Sequence, residues 1–339
     1  MSTNHYFYHA NSNNLSFIPD NSVALIVTSP PYPMVPMWDQ MFTQQDPTID
    51  FTRPDDAFHK MHVILNNTWK EFDRILIDGG IVCINIGGST RTFDNNYKMF
   101  PNCSEIVQYF CNNDNYNMLP YIIWSKPSNK PNNFLGSGMY PVHSYVTQEH
   151  EYILIFRKGN KRVFRDKLAE IRRNSAYFYE ERNVWFSDLW NINGVTQKLN
   201  IEGARDRSGA YPFEIAYRLI NMYSIKGDTV LDPFAGTGTT TMACMASERN
   251  SISIDCEPLL QEFAFNKCCD SKNTINTYIT KRIENHVKCA HENNYILQNT
   301  YHDFNVKTNQ ETDLSIRKIT DITAKDYVLN VEYENMKMH

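Results

Sequence analysis

Seven short apolar runs punctuate the chain, and much of the sequence between them repeats its apolar residues with the period of a helix. Residues 6–8, 23–27, 80–86, 119–124, 152–156, 229–231 and 251–254 are of strand length and rich in β-branched and aromatic side chains. Most are apolar at nearly every position, a pattern that suits strands covered on both faces. Phe58, Met61, Ile64, Leu65, Trp69, Phe72 and Ile75 keep the spacing of one helical face, as do Ile215, Leu219, Ile220 and Tyr223. Strands separated by such helices predict an α/β domain built on a seven-stranded, mostly parallel sheet. Three stretches break the rhythm. Residues 33–54 are rich in Pro, Met and aromatics, residues 159–207 in basic side chains. Residues 271–339 hold one helical pattern (Ile275, Ile279, Ile283, Val287) and then a polar tail without a motif.

Two strand ends carry unusual chemistry. The run at 23–27 leads straight into Thr28-Ser29-Pro30-Pro31-Tyr32. Two prolines cannot continue a sheet ladder, and each stiffens itself and the residue before it. A hydroxyl precedes this rigid exit and a phenol follows it. By itself the motif suits a rigid strand exit as well as a catalytic loop. The second signal is Val-Leu-Asp-Pro-Phe-Ala-Gly-Thr-Gly-Thr-Thr at 230–240. A strand ends in Asp232, glycines 236 and 238 let backbone N–H groups approach a ligand, and a helix starts near Thr239. No lysine follows the glycines, so this is not a phosphate-binding P-loop, and the third glycine of the dinucleotide fingerprint is missing. The next strand ends in Asp255, where doubly wound folds grip ribose hydroxyls. Glycine loop, helix and acidic second-strand tip together indicate a nucleoside cofactor.

At 339 residues the chain is long enough for one large core with an appendage. No stretch approaches the ~20 apolar residues of a membrane helix, and the N-terminus lacks a signal pattern. A cytoplasmic location is expected, with no membrane contact. The eight cysteines show no Cys-x-x-Cys spacing. They are read as buried or reduced thiols, and no metal is expected. The net charge of −5 hides an island between Arg157 and Arg182 that carries nine basic and four acidic residues, with aromatics interleaved. Arg162, Arg165, Arg172 and Arg173 are its candidates for phosphate contact, against the plainer reading of a solvated helix face.

Taken together, Thr28-Ser29-Pro30-Pro31-Tyr32 and Asp232-Pro233-Phe234-Ala235-Gly236-Thr237-Gly238 resemble the motifs of DNA amino-methyltransferases that use S-adenosyl-L-methionine. The order resembles the permuted group, in which the catalytic motif precedes the cofactor motif. Gly79–Gly87, Trp124-Ser125-Lys126-Pro127, His150–Lys158 and Tyr211-Pro212 resemble supporting blocks, and the likeness spans residues 5 to about 270. Two blocks depart from the pattern. Arg207-Ser208-Gly209-Ala210 stands where the family often has His-Pro-Ala, and His9-Ala10-Asn11 where it often has Gly-Asp.

The resemblance implies a Rossmann-like methyltransferase fold. Residues 1–158 would be the catalytic half, 159–207 a target-recognition insert, 208–270 the cofactor half, and 271–339 an extension of unknown role. Ser29, Pro30, Pro31 and Tyr32 would be catalytic. Asn11, Thr28, Tyr211, Asp232, Pro233, Phe234, Ala235, Gly236, Gly238, Thr239 and Asp255 would hold the cofactor. A Ser-Pro-Pro-Tyr motif usually marks N4-cytosine enzymes and Asp-Pro-Pro-Tyr N6-adenine enzymes. The expected activity is therefore N4 methylation of a flipped cytosine in double-stranded DNA, with a cognate restriction endonuclease as partner. The N6-adenine reaction, a silent DNA-binding subunit, and an RNA or small-molecule methyltransferase are the alternatives. Beyond Tyr32, residues Met34, Met37, Trp38 and Phe42 suit a small satellite core and a lid over the base equally well.

Overall fold

The computed structural model describes residues 2–126, 135–195 and 211–336. Ten strands form its main sheet. They are β1 (Ser2–His9), β2 (Val23–Thr28), β3 (Leu76–Ile86), β4 (Tyr116–Ser125), β5 (His150–Lys158), β6 (Leu189–Asn191), β7 (Thr229–Asp232), β8 (Asn250–Asp255), β9 (Arg317–Lys325) and β10 (Val328–Asn335). Their spatial order is β6-β4-β5-β3-β2-β7-β8-β1-β10-β9. All seven expected strands are present, and β3-β2-β7-β8-β1 pair in parallel. Strand β5 runs antiparallel between β3 and β4.

Alternate residues of the central strands serve opposite cores. Leu25, Val27, Ile81 and Cys83 point into one, while Ile26, Val82 and Ile84 point into the other. This is why those runs are apolar throughout. One face is covered by α1 (Pro54–Ile75) and α2 (Asn102–Cys111). The other is covered by α3 (Phe213–Tyr223), α4 (Thr239–Ala246), α5 (Pro258–Cys269) and α6 (Lys272–Glu292). No helix among the described residues is long and apolar enough to cross a membrane.

The count of seven strands needs correcting to ten. Residues 317–335, read from the sequence as a polar tail, form a hairpin whose β10 pairs antiparallel with β1. Leu329, Val331 and Tyr333 alternate inward, in the same core as Ile275, Ile279 and Ile283 of α6. The third added strand, β6, comes from the basic segment and pairs in parallel with β4. That segment joins the extension as well: Arg282 pairs with Glu181, His286 bonds Glu180, and the His286 ring stacks on Phe178 at 3.6 Å. The same core runs through Phe178, Trp185, Trp190, Ile215, Ile279 and Val331, so the proposed divisions of the chain share one interior.

Candidate active site

Adjacency of β2 and β7 brings the two unusual strand ends together. Leu25 lies beside Val230 and Ile26 beside Leu231, so Thr28 and Asp232 reach the same edge. The Thr28 hydroxyl donates to Asp232 Oδ1 at 2.7 Å, across 204 residues of sequence. Asp232 also accepts from the Thr240 hydroxyl and the Phe234 N–H, and Tyr211 reaches Thr240 at 2.5 Å. Burial raises the Asp232 carboxyl to about 6, although the hydroxyl and N–H donors favour its charged form. Gly236 sits at φ +50, and a Cβ there would meet nothing within 4 Å. Its N–H donates to Asp255 Oδ2 at 2.9 Å, and Glu257 N–H donates to Oδ1 at 2.9 Å.

From these groups a cleft of about 780 Å³ runs without a break to Ser29, Pro30, Pro31 and Tyr32. At that end the Ser29 hydroxyl lies 3.2 Å from the Tyr32 hydroxyl. Tyr32 donates to Glu151 Oε2 at 2.9 Å, and Asn85 Nδ2 donates to the same carboxylate oxygen at 2.6 Å. Lys126 pairs with the other oxygen of Glu151. Burial, then the Glu151 carboxylate, drives the Tyr32 phenol well above its ordinary value, so it remains a neutral donor. The adjoining segment divides. Met34 and Phe42 are buried in the core, whereas Met37 and Trp38 line the cleft.

The cleft has the chemistry for a cationic amino acid joined to a nucleoside. Two carboxylates flank an open glycine backbone, with Phe234 and Tyr211 offering aromatic surface. The sequence agrees: residues 23–267 match the family model for DNA methylases of the N6/N4 type. The chain belongs to the N6/N4 DNA methylase family. It is 44% identical over 323 residues to the type II methyltransferase M.MthZI of Methanothermobacter thermautotrophicus, covering 93% of this chain and 91% of that one. It is 43% identical to M.MjaI of Methanocaldococcus jannaschii, covering 77% and 91%. Thermus thermophilus TTHA0409, in complex with S-adenosyl-L-methionine, superposes with a TM-score of 0.61 at 27% identity, covering 78% of this chain and 93% of that one. PvuII DNA methyltransferase (cytosine-N4-specific) shares the fold, with a TM-score of 0.56 at 16% identity and coverage of 80% and 93%. This DNA methylase is therefore a type II DNA methyltransferase of the N4/N6 kind, and S-adenosyl-L-methionine is its cofactor.

Most residues singled out in the methylase sequence meet at this cleft. Asn11, Tyr211, Asp232, Pro233, Phe234, Ala235, Gly236, Thr239 and Asp255 line it, along with the Ser-Pro-Pro-Tyr residues. Asn11 stands at the rim, its amide N–H donating to Gln45 and its carbonyl accepting Asn13 N–H. Two of the residues stand off the cleft lining. Thr28 is buried behind Asp232 and holds that carboxylate. Gly238, at φ +75, caps α4, where a Cβ would lie 3.1 Å from Ala264 and 3.2 Å from Cys268. Residues 207–210 lie outside the described residues.

The four arginines are not brought to the cleft. Arg162 forms a two-pronged pair with Asp228, which precedes β7 at the end opposite Asp232. Arg172 shares Phe164 with Arg162, each guanidinium within 5 Å of that ring, and Arg173 pairs with Asp313. Arg165 is the N-cap of the helix Asp166–Asn174 and is exposed. Local charge density shows a basic island but not which end of a sheet it will occupy. Conversely, Asn85, Lys126 and Glu151 were not read as site residues. Their sequence signal is membership of the blocks Gly79–Gly87, Trp124–Pro127 and His150–Lys158, which the structure puts at the ends of β3, β4 and β5 nearest Tyr32.

Proposed function

We propose that this methyltransferase acts on the N4 amine of a cytosine flipped from double-stranded DNA at a specific sequence. It would serve as the protective half of a prokaryotic type II restriction–modification system in the cytoplasm, with a cognate endonuclease as partner. One observation carries the choice of base: a serine, not an aspartate, heads the Pro-Pro-Tyr exit, at the wall of the cleft that also holds the cofactor residues.

The exocyclic amine is a poor nucleophile because its lone pair is delocalised into the ring. Ser29 Oγ and the Pro30 carbonyl each accept one N4–H, drawing the nitrogen toward tetrahedral geometry. Bound S-adenosyl-L-methionine supplies the electrophilic sulfonium methyl. The two acceptors stabilise positive charge as it develops on N4, and the prolines keep the carbonyl aimed. The Tyr32 ring gives the extruded base a surface. Flipping costs a few kcal/mol, of which one aromatic stack returns about 1–3 kcal/mol. Nucleoside analysis of DNA methylated by the enzyme tests the reading. N4-methylcytosine is expected, and N6-methyladenine would overturn the assignment of the base.

A further inference from the structure

We propose that Glu151 is a positioning residue that sets the direction of the hydrogen bond between Tyr32 and Ser29, leaving Ser29 Oγ free to accept from the target amine. The inference rests on the reading of Ser29 as an amine acceptor. A hydroxyl can donate as well as accept, and nothing in Ser29 itself decides which it does. The surrounding groups do decide.

The phenol of Tyr32 has one proton and three acceptors within reach. Glu151 Oε2 is at 2.9 Å, Ser29 Oγ at 3.2 Å and the Asn85 main-chain carbonyl at 3.4 Å. The carboxylate is both the nearest and the only charged one, and a charge-assisted bond is roughly twice as strong as a neutral one. The Tyr32 proton therefore goes to Glu151. With that proton committed, the contact between Ser29 and Tyr32 is made only if Ser29 donates. The Ser29 proton then points away from the target amine, and a lone pair of Oγ is left for an incoming N–H.

Asn85 reinforces this direction. Its Nδ2 group lies 2.6 Å from Glu151 Oε2, 2.9 Å from the Tyr32 hydroxyl and 3.4 Å from Ser29 Oγ. Turned over, the amide would place its carbonyl against a carboxylate oxygen, so Glu151 fixes this orientation too. Lys126 holds the second oxygen of Glu151. The Glu151 side chain is 15% exposed and that of Lys126 33% exposed, so the pair stands at the wall of the cleft rather than in bulk water. Without the carboxylate, Tyr32 can donate to Ser29 and occupy the lone pair. The serine proton then turns toward the amine, whose own lone pair must stay free for methyl transfer.

The test is a coupling measurement on Glu151→Gln, which keeps shape and removes charge. Single-turnover methylation should slow roughly 10- to 100-fold, at or below the ~10²–10³-fold loss of an aimed polar partner. Dissociation constants for S-adenosyl-L-methionine and for DNA should stay within about twofold, placing the effect in kcat. In a Ser29→Ala or Tyr32→Phe background the same change should slow the reaction no further, because the chain it acts through is already cut. Tyr32→Phe alone supplies a second variant that leaves Glu151 in place and should be slow as well. Effects that multiply across the double variants would overturn the proposal, as would a Glu151→Gln enzyme of normal rate. A Ser29→Ala enzyme of normal rate would instead remove the acceptor reading, and this inference with it. N6-methyladenine as product, with the coupling intact, would change the base and leave the role of Glu151 standing.

Discussion

Cofactor affinity should fall about tenfold between pH 7 and pH 5, and the cause should be Asp232. This carboxyl is buried at the end of β7, and burial raises it to about 6 in the free protein. S-adenosyl-L-methionine is cationic, so it binds best when Asp232 is ionised. If only that form binds well, about one molecule in eleven is competent at pH 5 and about nine in ten at pH 7. A shift of one pKa unit corresponds to about 1.4 kcal/mol, which sets the scale of the loss. The sign follows from linkage: below pH 6 binding expels the carboxyl proton, so affinity rises with pH and levels off near pH 7. Stability of the cofactor-free protein moves the other way. A carboxyl raised above its unfolded value contributes stability at low pH, and that contribution is lost as pH climbs through about 6. Calorimetric titration at pH 5, 6 and 7, in buffers of different ionisation enthalpy, reads both affinity and protons. Near pH 6 about half a proton should leave per cofactor bound. Asp232→Asn should bind more weakly and show no such slope. A flat wild-type profile, or an unchanged slope in the variant, would refute the argument.

Four further outcomes follow from the same structure. On the proposed mechanism, Ser29→Ala should lower kcat by ~10²–10³ while cofactor and DNA bind nearly as before, because the lost acceptor matters most as the target amine becomes charged; a near-normal single-turnover rate would contradict this. Replacing Arg162, Arg165, Arg172 and Arg173 together by Ala should change the log–log salt slope of DNA binding by less than about one unit. Four direct phosphate contacts at ~0.9 each would change it by three to four. Gly238→Ala should destabilise the fold by about 1–2 kcal/mol in urea titration, since a left-handed backbone disfavours any side chain, while leaving cofactor affinity nearly intact; unchanged stability would show the cap relaxes. Glu248→Gln should cost about 3–5 kcal/mol, because it removes the carboxylate that pairs with both buried Lys226 and Arg317; a loss under 1 kcal/mol would mean the cluster is not buried in solution.

The central sheet was legible because its strands are covered on both faces and read as unbroken apolar runs. The last hairpin was not, because the outward face of β9 and β10 carries Asp321, Lys325, Glu332 and Glu334, interleaved along the strands with the inward apolar residues. Averaged over the segment, that alternation reads as a polar tail. The Ser-Pro-Pro-Tyr exit and the glycine loop were legible as motifs because their chemistry is local. Thr28 and Gly238 belong to those motifs, but their roles are to support: one holds a carboxylate and the other lets a helix approach. Glu151 and Asn85 are 66 residues apart and meet only through the pairing of β3 with β5, which no local pattern encodes.

Strand β1 has a timing problem during synthesis. Its neighbours are β8 and β10, and its buried bonds reach far: His5 to Ser251 across 246 residues, Thr3 to Tyr333 across 330. At roughly 5–20 residues per second, the nascent strand waits on the order of tens of seconds for its second partner. Until then a run containing Tyr6, Phe7 and Tyr8 presents unpaired backbone to every other chain nearby. Contacts this distant also make folding slow once synthesis is complete. A product stopped before residue 328 would keep its glycine loop and its Ser-Pro-Pro-Tyr exit, yet one side of β1 would stay open for good. The final hairpin is thus the seam that closes the molecule, and loss of solubility should be the first sign of its absence.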